Sequence, residues 1–147
     1  MNQSAWRLMV IEDDWIMAEL MSRVAEEAGF ESKCISSEQA IEGMYDQFTP
    51  HVMLLDILMP GCDGFEILEF LNLKKSQTRI VVTSVQGNYR EMAQRLAEGL
   101  GLPIVASIAK PFAIDRLRHI LEVIRGSLET EKDQPVLVHN YQPSTCA

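Results

Sequence analysis

The sequence is short of cysteine, of positive charge and of long apolar runs. Its three cysteines, at positions 34, 62 and 146, have no metal-ligand spacing, so we expect reduced thiols. Only 13 lysines and arginines accompany 21 aspartates and glutamates, and the net charge of -8 argues against free DNA or RNA as a partner. No run could span a bilayer, and residues 1–7 lack the features of a signal peptide. We therefore expect a cytoplasmic protein that binds neither membrane nor nucleic acid.

The length and the composition indicate one globular domain. A chain of 147 residues can bury a sizeable core, and 47% hydrophobic with 23% charged residues is typical of such domains. Apolar patterns predict strands over 6–11, 30–35, 51–55, 80–83 and 103–108, each followed by a helix, the last of which covers 113–128. Five strand–helix repeats predict an α/β fold with a parallel sheet and helices on both faces.

The run from Val52 to Asp56 lies at the centre of this pattern. Four apolar residues end in one aspartate, and a loop that contains Pro60, Gly61 and Gly64 follows at once. A short apolar run between turn signals predicts a strand that is buried on both faces of the sheet. Asp56 would then lie at the carboxyl edge, where open α/β sheets place their chemistry.

Charged and hydroxyl side chains follow the other predicted strands. Glu12 and Asp13 follow the first strand, Ser84 the fourth and Lys110 the fifth, so the fold would bring them close to Asp56. Three carboxylates in one cleft repel one another unless a cation joins them, and oxygen ligands with room for water suit Mg²⁺. A carboxylate beside Mg²⁺ can attack phosphorus and form an aspartyl phosphate, whose oxygens Lys110 and Ser84 would hold.

These positions also carry a resemblance to a known family. Over residues 6–125 the sequence resembles the receiver domain of two-component response regulators, through the motifs Val10-Ile11-Glu12-Asp13-Asp14, Leu55-Asp56-Ile57-Leu58-Met59-Pro60-Gly61-Cys62-Asp63-Gly64, Thr83-Ser84 and Lys110-Pro111-Phe112. The resemblance implies a five-stranded, CheY-like (flavodoxin-like) sheet with strand order 2-1-3-4-5. It also implies a receiver domain over residues 5–128 and a separate tail over 129–147.

The resemblance implies a phosphorelay role for Asp56. This residue would accept a phosphoryl group from a histidine kinase or a phosphotransfer protein in a Mg²⁺-dependent reaction. Lys110, followed by a cis peptide bond to Pro111, would pair with the phosphoryl group, and Ser84 would bind it after a switch. The chain would then be no enzyme for external substrates, and would catalyse only its own phosphorylation and dephosphorylation.

The resemblance also implies a metal-binding set around Asp56. Asp13 would be a direct ligand of Mg²⁺, Glu12 would bind it through water, and the backbone carbonyl of Leu58 would complete the set with Asp56. Asp14 is expected to cap the first helix instead of binding the metal, because an aspartate before a helical pattern is a favoured N-cap.

Two positions affect the expected conformational switch that follows phosphorylation. Thr83 is the alternative to Ser84, but we expect Thr83 inside the sheet, because neighbouring strand residues point to opposite faces. Ser107 stands where many receivers carry an aromatic residue that moves with the hydroxyl group. We therefore expect the signal to pass instead to the helix over 88–100, through Met92 and Leu96 on its inner face.

The second half of the chain favours one type of receiver. The stretch between Ser84 and Lys110 is longer than in the best-known receivers, and it resembles receivers that precede EAL-type cyclic-di-GMP phosphodiesterase domains. The run from Val136 to Pro143 resembles the opening strand of an EAL domain, so the chain is either a truncated relative or a piece of a longer regulator. The expected output partner is of EAL type or another class, and a homodimer is a further option.

Two other classes of function compete with this reading. A Mg²⁺-dependent phosphohydrolase with an aspartate nucleophile usually needs a general acid two residues after it, and Leu58 at that position cannot transfer protons. An adaptor that works without phosphorylation would have no need for the complete set of acidic residues. Both alternatives are therefore disfavoured.

Overall fold

The computed structural model describes residues 5–35, 38–59, 62–85 and 87–132. Its main feature is a five-stranded parallel sheet in the order β2-β1-β3-β4-β5. The five strands are β1 (Trp6–Ile11), β2 (Phe30–Ile35), β3 (Val52–Asp56), β4 (Arg79–Ser84) and β5 (Ile104–Ala109). The fold class and the strand order predicted from the sequence are both confirmed.

Each of the five strands is followed by a helix. The helices are α1 (Trp15–Glu27), α2 (Glu38–Phe48), α3 (Gly64–Leu73), α4 (Gly87–Leu100) and α5 (Ile114–Lys132). Helix α1 ends before Gly29, whose φ of 99° lies in the region that favours glycine. Helix α5 continues four residues past the predicted end at 128, and none of the described helices is both long and apolar enough to cross a membrane.

The sheet separates two apolar cores because successive residues of each strand point to opposite faces. The first core contains Met53 and Leu55 of β3 and is covered by α2, α3 and α4. The second core contains Val52 and Leu54 and is covered by α1 and α5. Asp56 comes two residues after Leu54, so its side chain lies on the face that α1 and α5 cover. This alternation decides which groups can meet Asp56.

The inner face of α4 differs from its prediction at one residue. Ala93 and Ala97 are fully buried and Leu96 packs against the first core, but Met92 is 51% exposed. The expectation that Met92 faces inward is therefore wrong. Its spacing fits a helical stripe, but the line of closest contact with the sheet runs through the two alanines.

The loop after Asp56 contains a short hairpin that we did not predict. Leu58–Met59 pairs in an antiparallel fashion with Cys62–Asp63. Gly64 then begins α3 against the backbone of Ile57: a Cβ atom at Gly64 would lie 2.6 Å from the Ile57 Cα atom. Only glycine allows this close approach, which fixes the loop beside Asp56.

The amino edge of the sheet carries a dense polar network. The backbone N–H of Arg7 donates to Nδ1 of His51 at 3.0 Å, and Nε of Arg7 donates to the Phe48 carbonyl at 2.7 Å. The Thr78 hydroxyl donates to the Pro50 carbonyl at 2.8 Å. Each of these donors has an acceptor, so the network closes this end of the sheet.

Candidate functional site

Three carboxylates meet at the carboxyl edge of the sheet. Glu12 and Asp13 follow β1, Asp56 ends β3, and each offers one oxygen that lies within 4.8 Å of the others. Glu12 is 2% exposed and Asp56 is 5% exposed, whereas Asp13 is exposed to solvent. The two buried groups are thus held at the base of the cluster, and Asp13 lies at its solvent side.

Lys110 lies inside this cluster. Its Nζ atom is 2.5 Å from Oε1 of Glu12 and 3.0 Å from Oδ2 of Asp56. The backbone N–H of Lys110 donates to the carbonyl of Ser84 at 3.0 Å, which ties the end of β5 to the end of β4. The bond from Lys110 to Pro111 is cis, as the resemblance implied.

The backbone around Asp56 also binds its carboxylate. The N–H of Leu58 donates to Oδ1 of Asp56 at 3.1 Å, so each oxygen of Asp56 accepts one hydrogen bond from a different donor. The Leu58 side chain is 46% exposed and lies at the surface next to the site. The arrangement leaves Asp56 buried, with both carboxylate oxygens held by hydrogen bonds.

Burial and charge shift the pKa values of two groups in the cluster. Burial raises the pKa of Glu12 to about 7, against the lowering effect of its bond to Lys110, and the charge of Asp56 raises it further. Burial alone would lower the pKa of Lys110, but its bonds to Glu12 and Asp56 outweigh burial and raise it. The pKa of Glu12 is therefore raised, as the burial of a carboxyl group beside another carboxylate requires.

Asp14 has a structural role, as predicted. Its Oδ1 atom accepts hydrogen bonds from the backbone N–H groups of Ile16 and Met17, which makes it the N-cap of α1. Its own N–H donates to Oε2 of Glu12 at 3.3 Å. Asp14 thus orients Glu12 through the backbone while its side chain binds the helix.

The two candidate hydroxyl groups lie on opposite faces of β4. Thr83 is the register partner of Asp56 and follows Val81 of the second core by two residues, so it shares the face of Asp56. Ser84 shares the other face, with Val82 of the first core. Both side chains are buried, so the choice of Ser84 or Thr83 as the switch hydroxyl stays a prediction. The Thr83 side chain is 1% exposed, and its Oγ1 atom has no hydrogen-bond partner in the part of the chain that the structure describes.

The donor set fits a divalent cation. With every group ionised, three carboxylates and one ammonium leave an excess of two negative charges among buried or partly buried groups. The side-chain ligands are carboxylate oxygens alone, which suits Mg²⁺ better than the softer transition metals. The exposed Asp13 gives such an ion access to water.

Comparison with protein families gives a match over most of the chain. The model described as "Response regulator receiver domain" matches residues 8–122. The chemotaxis protein CheY of Listeria monocytogenes is 27% identical over 118 residues, which are 79% of this chain and 95% of that protein. The probable C4-dicarboxylate response regulator DctR of Bacillus subtilis is 27% identical over 124 residues, which are 83% of this chain but 53% of the relative.

Solved structures share the fold at lower identity. A response regulator from Colwellia psychrerythraea superposes with a TM-score of 0.72 at 22% identity, covering 84% of this chain and 99% of its own. NtrX of Brucella abortus superposes with a TM-score of 0.74 at 22% identity, covering 97% of this chain but 31% of its own. The same five-stranded architecture therefore occurs both as a nearly whole chain and as one part of a longer one.

Proposed function

Because the chain belongs to the response regulator receiver domain family, a family of two-component signalling modules, we propose that Asp56 accepts a phosphoryl group from a histidine kinase or a phosphotransfer protein. The observation that supports this proposal is the contact of Lys110 with both Asp56 and Glu12 at the carboxyl edge. A buried carboxylate with an ammonium 3.0 Å away is placed to receive a group that carries additional negative charge.

In the proposed reaction an oxygen of Asp56 attacks the phosphorus of a phosphohistidine. The new O–P bond forms while the N–P bond breaks, and the electron pair of the broken bond returns to the imidazole nitrogen of the donor. Lys110 stabilises the oxygens of the transferred group, because its ammonium already lies between the two buried carboxylates. The Leu58 N–H keeps the Asp56 carboxylate oriented through Oδ1.

We propose that the carboxylate cluster holds Mg²⁺. Asp13 and Asp56 would bind it directly, Glu12 through water, and the Leu58 backbone carbonyl would complete the set. When bound, the ion would neutralise the crowded carboxylates and the charge on the phosphoryl oxygens. The support lies in the excess of negative charge and in the oxygen-only side chains of the cluster.

We propose that a hydroxyl at the end of β4 binds the phosphoryl group: Ser84, as the sequence analysis expects, with Thr83 as the alternative. Thr83 lies on the face of Asp56 in the neighbouring strand, and its buried Oγ1–H has no acceptor within the described ranges of the chain. A phosphoryl group on Asp56 would bring acceptor oxygens to this side of the sheet. The Thr83 hydroxyl would then gain a hydrogen bond that it lacks in the unmodified chain.

The wider context of the chain is proposed from the sequence alone. We retain a receiver domain over 5–128, a tail over 129–147, and a relationship to receivers that precede EAL-type domains. An EAL-type or other output partner, a homodimer as the further option, and a cytoplasmic location belong to the same proposal. Residues 133–147, including the run from Val136 to Pro143, lie outside the part that the structure describes.

One experiment separates the proposed function from its two rivals. The chain is incubated with acetyl phosphate and Mg²⁺, and both protein-bound phosphoryl groups and released phosphate are counted. A receiver binds one alkali-labile phosphoryl group per chain, a hydrolase releases phosphate over many turnovers, and an adaptor does neither. Continuous phosphate release without a bound group would contradict the proposal, and Leu58 offers no proton for such turnover.

A further inference from the structure

A cavity of about 290 Å³ lies at the amino edge of the sheet, at the other end of the strands from Asp56. Its lining comes from residues 49–51 before β3 and from residues 77–79 at the start of β4, and Tyr45 of α2 completes it. The volume is close to that of the smaller ligand pockets in proteins, which measure about 300 Å³. The cavity is therefore large enough for a small ligand, and its polar groups decide which kind.

The hydroxyl groups of the lining already donate to other residues. The Tyr45 hydroxyl donates to Oγ of Ser76 at 2.6 Å. The Thr78 hydroxyl donates to the Pro50 carbonyl at 2.8 Å, and the Thr49 hydroxyl donates to the carbonyl of the preceding residue at 2.7 Å. Because each of these protons is engaged within the protein, the hydroxyls offer a ligand no donor.

The donors that remain in the lining belong to His51, Gln77 and Arg79. Nδ1 of His51 accepts the backbone N–H of Arg7 at 3.0 Å, so the neutral ring carries its proton on Nε2. Within the described ranges, no residue accepts a hydrogen bond from Nε2 of His51 or from the side-chain amide of Gln77. Arg79 gives its Nη2 donor to Glu131 and keeps its other N–H groups for a ligand. These N–H donors fit a ligand that presents acceptor oxygens.

The charge around this cavity is positive, although the net charge of the chain is -8. Arg79 lines the cavity, and Arg7 lies beside it, because Nη2 of Arg7 donates to Oγ1 of Thr49 at 3.1 Å. Glu131 balances the charge of Arg79, whereas Arg7 has no carboxylate partner among the described residues. Burial lowers the pKa of His51, and the charges of Arg7 and Arg79 lower it further, so both arginines act on the lining. The local excess of positive charge favours an anion.

The lining is held in place by its neighbours before any ligand binds. Thr49 has a φ of 45°, in the left-handed region that β-branched residues rarely adopt. Nε of Arg7 donates to the Thr49 carbonyl at 3.1 Å, which helps to hold this conformation. Trp6 packs edge-on against the His51 ring, with the ring centroids 4.7 Å apart. Backbone strain that neighbouring contacts maintain is concentrated at functional sites, and a preformed lining lowers the entropic cost of binding.

We propose that this cavity binds a small oxyanion, either a carboxylate or a phosphate. The oxygens of the ligand accept hydrogen bonds from the Arg79 guanidinium, from Nε2–H of His51 and from the Gln77 amide. Hydrogen bonds to a charged oxygen are stronger than those between neutral groups, and the planar guanidinium matches both carboxylate and phosphate. The proposal goes beyond the phosphorelay function and does not depend on it, because the cavity and Asp56 lie at opposite edges of the sheet.

An NMR titration of the whole chain, read at individual backbone amides, tests the site. The probes are inorganic phosphate and succinate, without Mg²⁺, and sodium chloride at matched ionic strength is the control for screening. We expect the amide signals of His51, Gln77 and Arg79 to shift and to saturate, with a dissociation constant on the order of 1 mM. The probe that binds more tightly distinguishes a phosphate site from a carboxylate site. Shifts that do not saturate with either probe, or that sodium chloride reproduces, would overturn the proposal.

Three variants remove the proposed donors one at a time. Arg79→Met should weaken binding at least about tenfold, because it removes a charged donor. His51→Phe keeps a ring beside Trp6 but removes the Nε2 donor, and it should weaken binding about fivefold. Gln77→Ala, at an exposed position, should weaken binding about threefold. Binding of full strength in Arg79→Met would contradict the assignment.

Glu131→Gln tests the charge of the site in the opposite direction. The variant removes the carboxylate that shares Arg79 with the ligand, so binding should become about fivefold tighter. It keeps the guanidinium, so it tests the site even if Arg79→Met does not fold. Arg95→Met, at an exposed position on α4, is the matched control and should bind as the unmodified chain does. An unchanged affinity in Glu131→Gln, or a tenfold loss in Arg95→Met, would contradict the site.

Discussion

Two threonines at opposite ends of β4 show how the two edges of the sheet differ. Thr78, just before the strand, is 4% exposed, and its hydroxyl donates to the Pro50 carbonyl at 2.8 Å. Thr83, near the other end, is 1% exposed, and its hydroxyl has no partner among the described residues. The same side chain is satisfied at the amino edge and unsatisfied at the carboxyl edge.

The contrast extends to the charged groups of each edge. At the amino edge Arg7 is bound to backbone carbonyls, Trp6 donates to Glu129 at 2.6 Å, and Arg79 pairs with Glu131. At the carboxyl edge three carboxylates lie together, and one ammonium pairs with two of them. Polar groups that are paired with one another stabilise the fold, whereas a cluster that keeps an excess of charge can bind a ligand.

A sizeable cavity lies at the amino edge, away from the carboxylate cluster. A cavity of about 290 Å³ at the amino edge is lined in part by Tyr45, His51 and Thr78. The Tyr45 and Thr78 hydroxyls donate to other residues, and Nδ1 of His51 accepts from Arg7. The buried polar groups that have an excess of charge or lack a hydrogen-bond partner lie at the carboxyl edge. The hydrogen bonding and charge of the polar groups therefore identify the phosphoacceptor site better than the cavity volume does.

The largest effect on stability is expected from a substitution within the carboxylate cluster at the carboxyl edge. Lys110→Met leaves Glu12 and Asp56 buried without their shared cation, so the free energy of unfolding without metal should fall by about 3 kcal/mol at pH 8. Chemical denaturation measures this change. Adding Glu12→Gln to Lys110→Met should restore part of the loss, because one buried charge is removed. A loss below about 0.5 kcal/mol would contradict the assigned cluster.

The two edges should respond to pH in opposite directions. Burial lowers the pKa of His51, and the charges of Arg7 and Arg79 lower it further, so its contribution to stability is present above pH 6.5 and decreases as the pH falls below it. The pKa of Glu12 is raised from 4.5 to about 7, so its contribution is present below pH 4.5 and is lost as the pH rises through 7.

Glu12→Gln isolates the carboxyl edge in this pH comparison. Without metal, the variant should gain stability over the unmodified chain by on the order of 2 kcal/mol between pH 5 and pH 8, because glutamine never ionises. Denaturation series at several pH values measure the gain. A difference that stays constant over this range would show that Glu12 titrates normally.

Mg²⁺ should act on the carboxyl edge alone. Binding to the folded chain at ten times the dissociation constant should stabilise it by about 1.4 kcal/mol. Asp13→Asn should remove most of this gain and leave the metal-free chain equally or more stable, because it relieves repulsion between carboxylates. Asp46→Asn, an exposed position on α2, is the matched control. Thermal melts that do not respond to millimolar Mg²⁺ would contradict the metal site.

The smallest expected effect separates the two threonines. Thr78→Val leaves the Pro50 carbonyl without its donor and should lower the free energy of unfolding by about 1 kcal/mol. Thr83→Val removes a buried hydroxyl that has no partner in the described part of the chain, so stability should stay level or rise by up to about 1 kcal/mol. Equal losses in both variants would remove the distinction between the edges.

The sequence predicts the residues at the carboxyl edge well, because all strands of a parallel sheet end at that edge. Glu12, Asp13, Asp56 and Lys110 each follow an apolar run, and this position alone brings them into one cluster. The choice between neighbouring hydroxyls is harder, because a shift of one residue moves a side chain to the other face. The sequence alone therefore does not decide between Thr83 and Ser84.

Contacts between distant parts of the chain could not be read from the sequence. Arg7 meets Phe48 across 41 positions, and Trp6 meets Glu129 across 123, without any local pattern to indicate them. The contact of Arg90 with Ser107 depends on how α4 lies on β5, and the same helical placement made the prediction for Met92 wrong. Helix phase is set by packing against the sheet, which periodicity fixes only approximately.

Locating the phosphoryl group by mass spectrometry tests the central claim most directly. After treatment with acetyl phosphate and Mg²⁺, peptides of the unmodified chain, of Asp56→Asn and of the control Asp46→Asn are compared. We expect one phosphoryl group on Asp56 in the unmodified chain and in Asp46→Asn, and none in Asp56→Asn. Full incorporation in Asp56→Asn, or a phosphoryl group on another residue of the unmodified chain, would contradict the assignment of Asp56 as the phosphoacceptor.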